Sequence, residues 1–484
     1  MRRTDRTAST LAAALVVVLA LALAGCGVTE GAAAPGTQAG AAAGAPLDEE
    51  GVAALGEESL ALVDTPFSSG SAVLVDGGYL ITNAHVVDPF DQVALRFADG
   101  EELPSVPVVG VDLIADLAVI GPIDTDRPAL AVADPDGLSP GDEIHLVGYP
   151  GDQEDDLHVE VETGSYVRHQ FPEDWGLDYL QANVDIEDGQ SGGAMIDDRG
   201  RLVGISALGL DDGVALSLSV DDVQEVAAAI EAGTVEGAAA DWTPVPQEQG
   251  ERRHRVELDG PEDIRAFFVS GAAYVDELHL QVSDERARVA VMEPGFYASA
   301  ASEAALRAGK GGSLWSLAAF DDIEPLELDA DGSAVLDIEE GEDLIVLVGS
   351  DGADAVDVAT SPGSVEVAIS TEPRPLVVGD EVLEAVGYLD AVDVYELELG
   401  ADEEVVIEAE SASGDMAFLV AAPGESWLDA PEFDETASGY AGSGGMLGLD
   451  EHGTFTADGA GTYTVVAYSV DDTPTAYRLT VSKG

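Results

Sequence analysis

The chain has 484 residues and a formal net charge of −76, from 19 basic and 95 acidic side chains. Such a surface repels nucleic acid and anionic headgroups, which argues against a nucleic-acid partner. The hydrophobic fraction of 46% is ample for packed cores, and the length suits about two to four domains.

Residues 1–26 carry export features. Arg2, Arg3 and Arg6 form a basic start, and Leu11 to Ala24 is an unbroken apolar run. About 14 residues of helix span roughly 21 Å, short of the ~30 Å hydrocarbon core, so the run reads as a signal-peptide core. Its end, Leu23-Ala24-Gly25-Cys26, resembles a bacterial lipoprotein signal. The resemblance implies cleavage before Cys26, lipidation of its thiol, and an exported protein lipid-anchored to the outer face of the cell membrane. Cys26 is the single cysteine, so no internal disulfide is expected even in an oxidising compartment. Residues 27–46, mostly Ala, Gly, Pro and Thr, read as a flexible linker. Leu47 to Val63 is predicted as a short helix leading into the next domain.

Residues 66–218 are short apolar runs broken by turn signals, such as Val73-Leu74-Val75 before Asp76-Gly77-Gly78. That spacing predicts an all-β barrel or sandwich. Three polar residues stand out in it. His85 follows the strand-like Tyr79-Leu80-Ile81, within Thr82 to Val87. Asp116 opens the apolar run Leu117 to Ile120; a carboxylate there is expected to be buried and to need a partner, for which an imidazole N–H serves. Ser191 sits in Gly189-Gln190-Ser191-Gly192-Gly193, where glycines permit a sharp turn that exposes the hydroxyl. The N–H groups of Gly189 and Ser191 could converge there as an oxyanion hole. A serine hydroxyl needs an adjacent base to act as a nucleophile, and His85 with Asp116 would supply one. Taken singly, each of these residues would ordinarily be structural.

In this order and these contexts they resemble trypsin-like serine proteases, most closely the bacterial HtrA-type branch. The matching stretches are Gly70 to Val75, Leu80 to Val87, Val108-Val109-Gly110, Asp116 to Ile120 and Gln181 to Ile205. Gly148-Tyr149-Pro150-Gly151-Asp152 is also similar to the glutamyl-endopeptidase branch. The resemblance covers about residues 55–232. It implies two packed barrels with the active site between them. It further implies hydrolysis of protein or peptide substrates through an acyl-enzyme, with no cofactor and no metal. Ser191 would attack, His85 would shuttle the proton, and Asp116 would orient the imidazole. Asp185 is a candidate floor of the S1 pocket that would favour Arg or Lys, whereas HtrA-type relatives usually prefer small aliphatic residues. Ala194 stands where a proline is usual. Gln190 replaces the aspartate that, in digestive-type relatives, pairs with a freshly cut N-terminus. No PDZ domain is recognised downstream.

Ser219 is predicted to cap a helix with Val220, Val223, Val226, Ala227 and Ile230 on one face, ended by Gly233. The peptidase domain is therefore placed at 47–236 and a linker at 237–252. Residues 253–371 and 372–484 are each expected to form a β-sandwich, which makes the whole chain all-β. Arg265 to Val269 parallels Asp393 to Leu397, and Val289 to Gly295 parallels Phe418 to Gly424. Four stretches, Asp393 to Leu397, Asp415-Met416-Ala417, Gly459 to Tyr468 and Tyr477 to Val481, resemble the bacterial pre-peptidase C-terminal domain, with 253–371 a diverged copy. That resemblance implies an accessory role, so the chemistry is expected to need nothing beyond about residue 253. Ser302 to Ala308 is the one helix-like stretch in this region. Asp329, Asp331, Ser333, Asp337 and Glu340 have calcium-loop spacing, but Gly332 falls fourth rather than sixth, and the stretch reads as an acidic turn. The competing functional class is a catalytically inactive surface protein that binds through its β-sandwiches.

Overall fold

Six strands close the first barrel: β1 Leu60–Asp64, β2 Ser69–Leu74, β3 Leu80–Thr82, β4 Gln92–Arg96, β5 Glu102–Asp112 and β6 Leu117–Ile120, in the order β1-β2-β3-β6-β5-β4. The second comprises β7 Glu143–Gly148, β8 Glu160–Gln170, β9 Tyr179–Asn183, β10 Ala194–Asp197, β11 Leu202–Leu210 and β12 Val214–Ser219, in the order β10-β11-β12-β9-β8-β7. This computed structural model describes residues 45–484 with internal breaks, among them 66–67, 152–156, 171–174, 185, 187–188, 211–212, 293–325 and 424–450. The all-β, two-barrel expectation is met.

Four strands of the first barrel, β1, β2, β3 and β6, are apolar on both faces because both faces are covered, whereas β4 and β5 turn one face to solvent. Ala61, Val63, Ala72, Leu74, Leu80, Ala118 and Ile120 point into one core. The alternate residues Leu60, Leu62, Val73, Ile81, Leu117 and Val119 point into another, shared with Val147, Tyr149 and Leu218 of the second barrel. Successive side chains of a strand face opposite ways, so β1, β2, β3 and β6 stitch the barrel interior to the seam between barrels. The expected helix over 47–63 is shorter than predicted: α1 spans Glu49–Ser59, and Leu60 starts β1. The Leu60-Ala61-Leu62-Val63 run reads as helix or strand by hydrophobicity alone. Pairing with both β2 and β4 makes it a strand.

Two further helices are α2, Ala84–Val87, and α3, Val220–Ala232. α3 buries Val220, Val223, Ala227 and Ile230 in the seam core, as predicted. Gly233 ends it at φ 62°, with its N–H on the carbonyls of Ala229 and Ile230. Ser219 occupies the N-cap position, but its side chain makes no cap bond; Asp221 and Asp222 in the first turn face the helix N-terminal partial charge instead.

From Arg252–Glu257 onward, successive strands alternate between paired four-stranded sheets, first up to Ser364–Val367 and again from Arg374–Leu376 to Thr475–Lys483. Each pair of sheets encloses one core: Phe267, Leu280, Val346 and Val356 in the first, Tyr395, Leu397, Ile407 and Tyr477 in the second. The strands Ile264–Val269 and Val392–Leu399 each bury a central aromatic, Phe267 and Tyr395, although the neighbour order within the sheets differs. Asp329 to Gly332 is a tight turn, closed by Gly332 N–H on the Asp329 carbonyl at 2.8 Å. The Asp331 carboxylate takes the Ser333 hydroxyl at 2.6 Å. Glu340 and Ser302 to Ala308 lie outside the described residues.

Candidate active site

Antiparallel pairing of β3 with β6 (Leu80↔Ile120, Ile81↔Val119, Thr82↔Ala118) brings the end of β3 beside the start of β6. The chain leaves β3 through Asn83 into α2, which carries His85, and enters β6 through Asp116. Asp116 has φ +47°, a left-handed conformation seldom adopted by residues other than glycine. Three contacts hold it there. Asn83 Nδ2 donates to its carbonyl at 2.9 Å, the His85 N–H donates to Oδ1 at 3.1 Å, and Oδ2 lies 2.8 Å from His85 Nδ1. The Asp116 side chain is 2% exposed and that of His85 22%. With Nδ1 turned to the Asp116 carboxyl, the tautomer that carries its proton on Nδ1 leaves Nε2 as the nitrogen able to accept one.

The turn ahead of Asp116 is held by Asp112, whose Oδ1 accepts the N–H groups of Ile114 and Ala115, each at 3.0 Å. Burial pushes the Asp112 carboxyl above the ordinary carboxylate range, with those two backbone bonds opposing the shift.

Ser191 lies on a turn built by its neighbouring glycines. Gly189 has φ +90° and Gly192 φ +75°. Gly193 N–H closes the turn on the Gln190 carbonyl at 3.0 Å, and the Gly193 carbonyl accepts Ser206 N–H at 2.9 Å. A Cβ at Gly189 would sit 2.2 Å from the backbone nitrogen of Gly151. Only glycine satisfies both the φ and the space there. The turn is tied to the first barrel through Ser71, whose N–H donates to the Ser191 carbonyl at 2.8 Å. A Cβ at Gly70 would lie 2.7 Å from Val86 of α2 and 3.2 Å from the Ser191 carbonyl. The helix bearing His85 and the turn bearing Ser191 therefore pack around the same point of β2. Tyr149, buried beside the turn, has its phenol pushed up to about 12 by that burial.

The structure puts His85 in direct contact with Asp116, and it ties the Gly189 and Ser191 carbonyls to Ser71 of β2. Asp185 and Cys26 lie outside the described residues. Sequence reasoning passed over Asn83, Asp112 and Ser71. Asn83 and Ser71 lay inside stretches already singled out, but their roles depend on partners far along the chain. Asp112 was detectable as an Asx-type cap, an acid two and three residues ahead of the amides it accepts.

Residues 70–205 match the family model described as "Trypsin-like peptidase domain". The chain is similar to the "Probable periplasmic serine endoprotease DegP-like" of Halomonas elongata, 31% identical over 169 residues that cover 33% of this chain and 34% of that one. The similarly named protein of a Marinomonas strain is 32% identical over 141 residues, 29% of each chain. The chain thus spans about a third of the length of these curated relatives. Among solved structures, "HtrA-type protease AlgW with tripeptide" is 27% identical with a TM-score of 0.35, over 44% of this chain and 69% of that one. Residues 70–205 are thus similar to a trypsin-like peptidase domain, and DegP-like serine endoproteases are among the proteins the chain resembles.

Proposed function

We propose that the protein is an exported serine endopeptidase that cleaves peptide bonds through an acyl-enzyme. The observation that carries the reading is the 2.8 Å contact between His85 Nδ1 and the buried Asp116 Oδ2, on a domain whose glycine turn presents Ser191. Ser191 Oγ adds to the scissile carbonyl carbon as its proton passes to His85 Nε2. Asp116 holds the Nδ1–H and stabilises the imidazolium that forms. The carbonyl oxygen, now an oxyanion, is received by the N–H groups of Gly189 and Ser191. Collapse of the adduct breaks the C–N bond, and the imidazolium returns its proton to the leaving amine. Water, deprotonated by His85, then hydrolyses the ester and frees Ser191.

In this reading the mature chain begins at a lipidated Cys26 and is held at the outer face of the cell membrane, since two or more acyl chains anchor stably where one does not. Residues 47–236 form the peptidase domain, and 253–371 and 372–484 are accessory. The test is labelling of the full chain with a fluorophosphonate probe, followed by mass spectrometry. Modification at Ser191 together with cleavage of a peptide library supports the reading. A chain that neither labels nor cleaves is a binding protein on a retained scaffold. The same library profile decides between Arg or Lys at P1, which Asp185 would favour, and small aliphatic residues.

A further inference from the structure

We propose that Ser71 is a positioning residue that sets the geometry of the oxyanion turn from the opposite barrel; the inference rests on the serine-peptidase reading above. Ser71 lies in β2 and is fully buried. Its N–H donates to the Ser191 carbonyl at 2.8 Å. Its Oγ donates to the Gly189 carbonyl at 3.0 Å and accepts the Tyr149 N–H at 2.8 Å. Its own carbonyl accepts Thr82 Oγ1 at 2.7 Å, at the end of the strand that leads to His85. One residue therefore grips the turn on both sides of Gln190, holds the segment after β7, and is itself fixed to β3.

Peptide planarity turns those bonds into a constraint on catalysis. Each carbonyl lies in one plane with the next residue's N–H. The two planes that Ser71 holds, those of the Gly189 and Ser191 carbonyls, bracket the plane carrying the Ser191 N–H and adjoin the one carrying the Gly189 N–H. Glycines impose little conformational preference of their own, so the turn depends on outside partners to fix its amides. The surroundings leave no slack. A Cβ on Gly148 would come within 2.9 Å of Ser71 Oγ, and one on Gly192 within 2.3 Å of the Ser71 carbonyl. Ser71 touches no substrate; it acts by keeping two amides aimed at one point.

The test uses the full chain in four forms: wild type, Ser191→Ala, Ser71→Ala and Ser71→Cys. The readouts are kcat and KM on a fluorogenic peptide, and affinity for a peptide boronate, which forms a tetrahedral adduct on Ser191, against the matching product peptide. Misplacing oxyanion donors should lower kcat about ten- to hundredfold in Ser71→Ala. KM and product affinity should stay within about threefold, and boronate affinity should fall in step with kcat. Cysteine puts a bulkier atom with weaker donor and acceptor power at the same site, so its kcat and boronate affinity should also fall together. It carries the test if the alanine variant does not fold. A folded Ser71 variant with wild-type kcat, or with equal losses for boronate and product, overturns the proposal. A wild-type chain that neither turns over nor labels at Ser191 overturns the peptidase reading beneath it.

Discussion

The N–H of Ala476, in the chain's last strand, donates to the carbonyl of Leu113 at 3.3 Å, in the turn that delivers Asp116. On its other side the Leu113 N–H donates to the Ala239 carbonyl at 2.8 Å. Ala238, Ala412 and Ala476 join the core of the first barrel there. Elsewhere Phe90, just past α2, packs on Phe268 with ring centroids 5.8 Å apart, and Arg478 lies over Trp175 at 4.9 Å. Both pairs of C-terminal sheets thus rest on the two-barrel region beside segments that lead to or from His85 and Asp116.

These contacts support the site from outside rather than shape it. A neutral hydrogen bond contributes about 1 kcal/mol net, whereas Asp116 is held within its own barrel by Asn83, the His85 amide and the Asp112 turn. A chain ending near residue 250 should therefore turn over a small peptide within about threefold of the full chain. Its melting temperature should drop by at least about 2 °C as the Leu113 contact and apolar cover are lost. A folded truncation that has lost turnover would give the C-terminal units a direct part in the chemistry.

Single substitutions in the proposed triad should behave as failures of one unit. Ser191→Ala and His85→Ala should each abolish most of kcat, and the double variant should be little worse than either. Asp116→Asn keeps the shape but favours the wrong imidazole tautomer, lowering kcat by about 10⁴ by analogy with the well-studied protease case. Circular dichroism should show all of them folded. Additive losses in the double variant would mean that Ser191 and His85 do not act together.

Gly189→Ala tests the turn by crowding it. The new Cβ would meet Gly151 N at 2.2 Å, Gly151 Cα at 2.6 Å and the Tyr149 carbonyl at 2.7 Å, on a residue at φ +90°. The facing atoms are backbone, so relief requires the turn itself to shift. Overpacking of this kind costs about 1–3 kcal/mol, and displacing an oxyanion donor about 10² in kcat. Thermal melting and kcat should both fall. An alanine variant with unchanged kcat would remove Gly189 from the oxyanion role.

How much of this was legible in the sequence depends on how local each feature is. His85, Asp116 and Ser191 announce themselves because each sits in a short context, a strand end or a glycine turn, that can be read without the rest of the chain. The barrel strands were legible as short apolar runs. The boundary between α1 and β1 was not, because Leu60 to Val63 is buried on both faces and so shows no alternation. The left-handed Asp116 was invisible, since nothing in its residue type demands φ +47°. Ser71 was the least legible: its bonds reach residues 118 and 78 positions away, and a serine in a strand carries no mark of such partners.

Asp112 gives the Asp116 turn a pH signature. Burial raises its carboxyl pKa in the folded protein, so between the ordinary carboxylate value near ~3.9 and the raised value the folded state binds more protons than the unfolded one. Stability from this group is then fully present below ~3.9 and is lost as pH rises through the raised value. Asp64, Asp178, Asp222 and Asp393 are raised for the same reason, burial, and add slopes of the same sign. His145, lowered by burial, contributes the opposite slope, stability lost as pH falls below its ordinary value. A difference measurement isolates Asp112 from all of them. Asn at position 112 can still accept the Ile114 and Ala115 amides through its side-chain oxygen, without a charge to desolvate. The melting temperature of Asp112→Asn relative to wild type should therefore climb from its value near pH 3.5 and level off once the wild-type carboxylate is fully ionised. The offset should be insensitive to the other titrating groups, which both proteins share. A constant offset from pH 3.5 to 8 would mean that Asp112 titrates alike in the folded and unfolded chains. A falling one would mean that the two backbone bonds outweigh its burial.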